Sequence, residues 1–390
     1  MNHKSAGRRT VFLTCPYGST GGGMGTMMTY LAEHQDELQG DYALRPLESR
    51  GPYHRAICPA FVAWAICRMA GEAARGRLAI VHLNLAERGS VWRKAALLYA
   101  AKLMGAQVLL HLHAAQIIAY YQSMPAWSRP LLRGMFRTAD RSVVLGDLWR
   151  RWLIDELGVP ARQIAIVRNG VPATALPPLP RSPDAPFRLL FLGNLQERKG
   201  VSDLLNALAS RPDTERRVML TMAGGGPIDT YRAKAEALGI ADRVIFTGWV
   251  EQAEIRRLLA GSDALILPSY DEGLPMVILE AIASSVPVIC SPVGAIPEVF
   301  EDGKTALFVT PGDSAEIAAA IDRLARNEDL CERLATESNA LFRRDFTMTT
   351  FAQRIGEIYR SLHHRDRDVS CTPGEPSVSP VGTLTNGGKL

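Results

Sequence analysis

No stretch of 18 uninterrupted apolar residues occurs in this 390-residue chain, so nothing in it reads as a membrane-crossing helix. The N-terminus, Met1-Asn2-His3-Lys4 onward, carries too short an apolar segment before Pro16 and the glycines to read as a secretory leader, and a cytoplasmic protein is expected. Cysteine is sparse. The six residues, at 15, 58, 67, 290, 331 and 371, form no C-x-x-C pair and no metal-like spacing, which points to reduced thiols. Aromatic residues make up only 7%, with no aromatic platform and no recognisable nucleic-acid module, so nucleic acid is not an expected partner. What is present is ordinary for a globular protein: 47% hydrophobic and 22% charged residues. The length exceeds one ordinary core and predicts two domains.

The small net charge of +4 hides an uneven distribution: residues 1–172 hold 21 Lys and Arg against 11 Asp and Glu, and residues 173–390 hold 23 against 29. A basic first half suggests contact with something anionic, such as a phospholipid surface or a lipid-linked pyrophosphate. The helix expected at 91–104 mixes Trp92 with Arg93, Lys94 and Lys102, a face able to meet headgroups. Tyr120, Tyr121, Trp127, Arg129 and Arg133 form a second aromatic and basic cluster, readable as an acceptor or membrane-facing lip.

Apolar runs alternate with amphipathic segments throughout. Strands are expected at 10–14, 78–83, 106–112, 142–145 and 164–167. After a linker at 173–186, within a stretch rich in proline, they resume at 187–192, 218–223, 244–247, 264–267, 287–290 and 306–309. Asp147 is placed to cap the helix that follows 142–145. Alternation on both sides of the linker predicts an α/β protein with two Rossmann-like parallel-sheet domains facing a central cleft. The first spans 1–172 and takes back a crossing helix at 350–362; the second spans 187–349; a polar tail at 363–390 reads as disordered.

Three stretches carry chemistry. Ser19 to Gly25 is a glycine-rich turn between strand and helix, suited to anion approach but without the G-x-G-x-x-G spacing. His111 and His113 share one strand face, yet no third ligand lies nearby in sequence, so no metal is expected. The most informative stretch follows the strand at 264–267. Pro275 sits where a helix starts, and the backbone from Gly273 through Leu274 and Pro275 to Met276 aims free amides out of that helix start. Glu280 then lies in a helix apolar on every face, where a carboxylate is costly unless something holds it.

This stretch, Glu272-Gly273-Leu274-Pro275-Met276 through Glu280-Ala281, resembles the acidic motif of the family-4 retaining glycosyltransferases, which have the GT-B fold. The resemblance extends to about residue 362. It implies that Glu272 faces the hydroxyls of a donor sugar, that Gly273, Leu274, Pro275 and Met276 hold sugar and phosphate, and that Glu280 binds a ribose. It likewise implies that Gly22 and Gly23, with Gly21, approach the donor diphosphate and that Val250 contacts the base through its backbone. His113 would reach the donor sugar, although Ala114 follows it where the family has glycine. Lys199-Gly200 matches the family's cationic motif, but Asn194 stands where its arginine belongs; either Arg198 substitutes, or the diphosphate is held with less help, or activity is compromised. Glu272, Lys199 and His113 are thus the implied catalytic residues. The implied reaction moves a hexose, with retention and without metal or cofactor, from a UDP- or GDP-linked sugar to a glycan or lipid-linked hydroxyl in polysaccharide assembly, at the inner face of the membrane. The alternatives are a nucleotide-sugar epimerase of the same fold and a catalytically degenerate sugar-nucleotide-binding protein.

Overall fold

A computed structural model describes residues 8–14, 22–51, 58–173, 185–211 and 217–368. Each half of the chain builds one six-stranded parallel sheet. In the first, β1 (Arg9–Thr14), β2 (Tyr42–Pro46), β3 (Leu78–Leu85), β4 (Gln107–Leu112), β5 (Arg141–Val144) and β6 (Ile164–Ile166) take the order β2-β1-β3-β4-β5-β6. In the second, β7 (Phe187–Leu192), β8 (Val218–Ala223), β9 (Val244–Gly248), β10 (Ala264–Leu267), β11 (Val288–Cys290) and β12 (Leu307–Phe308) take the order β12-β11-β10-β7-β8-β9. Central strands such as β10, whose four residues are all buried, carry apolar side chains on both faces. That is why they read as continuous apolar runs rather than alternating ones.

Helices fill the crossovers. Of these, α1 (Gly22–Glu33), α2 (Cys58–Ala74), α3 (Gly89–Leu103), α4 (Ile117–Ser123), α5 (Arg129–Thr138) and α6 (Asp147–Asp155) belong to the first half. The second half holds α7 (Val201–Ser210), α8 (Ile228–Ala237), α9 (Gln252–Ala260), α10 (Met276–Ala283), α11 (Ser314–Ala325) and α12 (Glu328–Asp345). The last helix, α13 (Met348–Asp368), returns to the first sheet, where buried Tyr359 places its hydroxyl 2.7 Å from His82 Nδ1 on β3 and its ring against Tyr42 on β2. It runs to Asp368, so residues 363–368 of the expected tail are helical; residues 369–390 lie outside the described residues. Most of the linker expected at 173–186 also lies outside them.

Three expectations are corrected. The glycine-rich segment is not a loop as far as residue 25: α1 already begins at Gly22, so Gly22 and Gly23 form its first turn, while Gly21 lies outside the described residues. The basic face expected on α3 is smaller than its sequence suggests, since Lys94 is buried with its ammonium 2.9 Å from Ser49 Oγ and Lys102 is paired with Asp140 at 2.8 Å, while Trp92 stays exposed. Asp147 does not cap α6. It is the first residue of the helix, and the cap arrives from the other half of the chain: the Glu298 carboxylate accepts from Asp147 N at 2.8 and 3.0 Å and from Leu148 N at 3.4 Å, with Arg168 3.8 Å away. A carboxylate at a helix N-terminus satisfies orphan amides and favours the positive end of the dipole. Because this one spans the two halves, Glu298→Ala is expected to lower the urea midpoint by the equivalent of about 1 kcal/mol, with Glu298→Gln in between; equal midpoints for all three proteins would show the cap to be idle.

Candidate active site

In the second sheet, successive strands are added outward from β7 in one direction through β8 and β9, then in the other through β10, β11 and β12. Ligands of open parallel sheets bind outside the carboxyl ends where that reversal occurs, here between β7 and β10. The loops leaving those two strands are residues 193–200, with Asn194, Arg198 and Lys199, and 268–275, with Glu272 and the residues up to Pro275. They line a cavity of about 490 Å³ whose opposite wall, Gly23, Met24, Glu87, His113 and Gln116, comes from the first half.

The loop after β10 is held by contacts to its carbonyls from both halves of the chain. Gly294 approaches so closely that a Cβ there would lie 2.0 Å from Glu272 O, and its φ of 62° is one that glycine adopts without strain. Ala295 N donates to Gly273 O at 3.0 Å, Asn169 Nδ2 of the first half to Leu274 O at 3.0 Å, and Arg198 Nη1 to Asp271 O at 3.3 Å. With those carbonyls engaged, α10 opens on the cavity at Met276, and no side chain caps it. Its first amides are the positive end of an eight-residue helix, a seat for an anion.

Glu272 is 6% exposed. Lys199, at the end of the loop after β7, forms an ion pair with Glu272 Oε1, and Ser269 Oγ donates to the same oxygen at 2.8 Å. Asn194, Arg198 and Val250 line the same cavity, as do Gly273, Leu274, Pro275 and Met276. Two expected residues stand apart from it: neither Gly22 nor Glu280 is among the lining residues. Glu280, one turn further along α10 and 8% exposed, receives a hydrogen bond from Gln252 Nε2 at 2.7 Å and is pushed up to about 7 by burial. Its charge also helps to raise the Tyr30 hydroxyl on α1, after burial itself, so the two halves feel each other here.

His113 follows β4. Asn84, whose Nδ2 donates to Thr14 O at 3.0 Å, turns its Oδ1 toward His113 Nε2 at 2.8 Å, which makes that nitrogen the protonated one. Burial pushes the His113 imidazole down to about 3 and His82 to about 3, so both are neutral; His111, stacked between them, is also held well below its ordinary value. His82 Nε2 and His111 Nδ1 lie 3.1 Å apart. Among the described residues no group of three or more His, Cys, Asp or Glu side chains is placed to hold a metal, and no helix is long and apolar enough to cross a membrane.

Sequence reasoning missed Asn84, Ser269, Gln252 and the contribution of Glu87 and Met24. Polar residues next to a functional strand end were the available signal for Asn84 and Ser269. Nothing local marks Gln252, because its partner is 28 positions away.

Two parallel-sheet domains presenting their carboxyl ends to a shared cleft define a GT-B architecture. The chain belongs to the family-4 glycosyltransferases of the GT-B fold: residues 21–175 match the family model Glycosyltransferase Family 4, and residues 177–340 match Glycosyl transferases group 1. It is 28% identical to the glycogen synthase of Mycobacterium tuberculosis over 60% of this chain and 57% of that protein. It is 33% identical to the phosphatidyl-myo-inositol mannosyltransferase of Mycobacterium leprae over 56% of this chain and 59% of that one. The chain thus spans a little under three-fifths of these curated relatives. Among solved structures, a sucrose-phosphate synthase from Thermosynechococcus elongatus superposes with a TM-score of 0.75 at 18% identity, covering 92% of this chain and 100% of that one. Anabaena Alr3699/HepE in complex with UDP and glucose does so with 0.71 at 18% identity, covering 91% and 100%. At such identities the likeness shows the fold.

The buried Glu280 generates a pH dependence. In the folded chain it keeps its proton up to about 7, whereas the ordinary value is 4.5. Folding is therefore favoured by protonation: the contribution is complete below about 4.5 and is lost as pH rises to about 7. Glu280→Gln, neutral throughout, is expected to gain on the wild type across that window, up to roughly 3 kcal/mol at its upper end. Parallel urea-unfolding curves for the two proteins at every pH would show that no proton is held there.

Proposed function

We propose that the chain transfers a hexose from a nucleotide-diphosphate sugar to a hydroxyl of a glycan or lipid-linked acceptor, with retention and without a bound metal. One observation carries this reading: Lys199, Glu272 and the uncapped start of α10 converge on one cavity between the carboxyl ends of the two sheets. Support comes from the family and from HepE, solved with UDP-glucose.

As the bond between the anomeric carbon and the diphosphate breaks, negative charge grows on the leaving oxygen. The Lys199 ammonium and the first amides of α10 stabilise it, and they are fixed before the reaction begins, so little reorganisation is needed. The acceptor oxygen bonds to the same face of the anomeric carbon and passes its proton to the departing diphosphate oxygen, so no second carboxylate is required. Glu272 orients the sugar hydroxyls; on donor entry its hold on Lys199 is exchanged for the ligand. Arg198, which lines the cavity beside Asn194, supplies the second cation that Asn194 does not. Glu280 takes the ribose hydroxyls at the far end of the nucleotide, and Val250 and Trp249 flank the base, uracil or guanine. Neutral His113 donates no charge; its place is against the sugar. The protein works at the cytoplasmic side of a membrane that holds the acceptor.

Lys199→Ala combined with Glu272→Ala is expected to reduce transfer from UDP- or GDP-hexose by at least about a thousandfold while the far-ultraviolet circular dichroism is unchanged. Transfer surviving in that variant would refute the mechanism. A thermal-shift panel of nucleotide sugars identifies the donor, since a ligand of the folded state raises the melting temperature. Arg198→Gln is expected to weaken donor diphosphate binding, and Asn194→Arg to restore part of it. Donor converted with no acceptor present would point to epimerisation, and tight donor binding without turnover to a degenerate enzyme.

A further inference from the structure

The first sheet carries α2, α3 and α5 on one face. The crossovers from β2 to β3, β3 to β4 and β4 to β5 all step the same way across the sheet, and right-handed connections then place their helices on the same side. α2 packs on α3 and α3 on α5, so the three form one layer. A Cβ at Gly134 of α5 would lie 3.0 Å from the Tyr99 hydroxyl of α3, and the ring centroids of Trp92 and Trp127 are 6.2 Å apart.

The outward side of this layer is the reverse of what a helix in water presents. On α2 the exposed residues are Pro59, Ala60, Ala63, Trp64, Cys67, Ala70 and Ala74, and on α3 they are Gly89, Trp92, Ala96, Tyr99 and Leu103. None of these is charged. On α12, by contrast, the outward side holds Glu328, Asp329, Glu332, Arg333, Glu337 and Arg343, the polar face expected of a helix whose other side is buried. Leu103 is 90% exposed and Trp127 76%, with Trp64, Trp92 and Tyr99 also exposed. An apolar surface that runs the length of two adjoining helices of 17 and 15 residues marks an interaction site.

Charge selects the occupant. Glu72 is the one acid of α2, α3 and α5, and it is buried beneath the layer, where it accepts from Thr10, Arg45 and Arg77. The exposed charges of α5 are Arg133 and Arg137, on either side of Gly134 and so beside the Tyr99 stripe. Arg68 adds a half-buried cation over the Trp64 ring, 4.9 Å from its centroid. A second copy set against this face would bring like charges together, whereas anionic headgroups neutralise them. Trp and Tyr, each with an apolar body and a polar edge, suit the boundary between headgroups and acyl chains.

We infer that the outward side of α2 and α3, rimmed by Arg133 and Arg137, docks on an anionic lipid bilayer. Trp64, Trp92 and Trp127 lie at headgroup depth, Leu103 enters the acyl boundary and the arginines meet lipid phosphates. Glu87, two residues before α3, lines the donor cleft, so the docked layer reaches the cleft rim and brings the site to the lipid surface. What is delivered there rests on the transferase reading above; the docking face itself stands apart from the donor chemistry.

Co-sedimentation of the full chain with vesicles tests this, using phosphatidylcholine alone and phosphatidylcholine mixed with phosphatidylglycerol, with UDP and GDP calorimetry reporting on the donor cleft. The wild type is expected to bind the mixed vesicles at least roughly tenfold more tightly than the neutral ones, and less tightly as salt is raised. Ala63→Glu combined with Leu103→Glu should weaken that binding at least roughly tenfold, with circular dichroism and nucleotide affinity unchanged. Thr336→Glu combined with Ala340→Glu adds the same charge on α12 and should bind as the wild type does. Arg133→Gln with Arg137→Gln should remove most of the preference for phosphatidylglycerol. Wild-type protein that stays in the supernatant with both vesicles, or a face variant that binds undiminished, overturns the inference. So does a dimer in sedimentation velocity that Ala63→Glu and Leu103→Glu dissociate, which assigns the face to a second copy. A wild type that binds vesicles but neither UDP nor GDP overturns the donor reading and leaves the docking face standing.

Discussion

The site depends on one constraint, the anchoring of the carbonyls in the loop between β10 and α10. A loop of this length has as many carbonyls as amides nearby, and an anion is attracted only if the carbonyls are turned away. Here Glu272 O is packed against Gly294, Gly273 O is bound by Ala295, Asp271 O by Arg198 and Leu274 O by Asn169. Three of those partners, Gly294, Ala295 and Arg198, belong to other segments of the second half, and Asn169 belongs to the first half. The polarity of the cavity is thus a product of tertiary packing. The helix dipole adds to a field whose direction the carbonyl anchors have already set.

That division explains what could be read from the residues. The strand at 264–267 and the start of α10 were legible because apolar runs and proline report local backbone preferences. Glu280 was legible as an anomaly, a carboxylate in an otherwise apolar helix, though its position outside the cavity lining was not. The cap on α6 was misread because Asp147 has the right residue type at nearly the right place, while the group that does the work, Glu298, is about 150 residues away. A glycine-rich turn and a glycine-rich first helical turn have the same composition, so Gly22 and Gly23 could not be assigned between them from composition alone. Lys94 was misread for a related reason: a basic residue beside Trp92 looks like a surface face until the cavity it turns into is known.

The charge imbalance between the halves also acquires a location. The basic excess of the first half is concentrated in part around an open cavity lined by Arg50, Arg88, Arg93 and Lys94. Around His82, His111 and His113 the opposite device operates. Desolvation keeps all three imidazoles uncharged, so this cluster, of which only His113 reaches the cleft, adds shape and hydrogen bonds but no further positive field.

Contacts that tie the halves together lie at different distances from the chemistry, among them Glu298 to the start of α6, Asn169 to Leu274, and α13 to the first sheet through Tyr359. Of these, the second touches the site loop, as does the hydrogen bond between Gln116 and the Asp271 side chain. A motion that opened the cleft would have to release Asn169 from the Leu274 carbonyl, freeing an acceptor at the mouth of the anion seat and weakening its field. Opening and loss of phosphate affinity are then the same event, which is what release of a nucleotide diphosphate product requires.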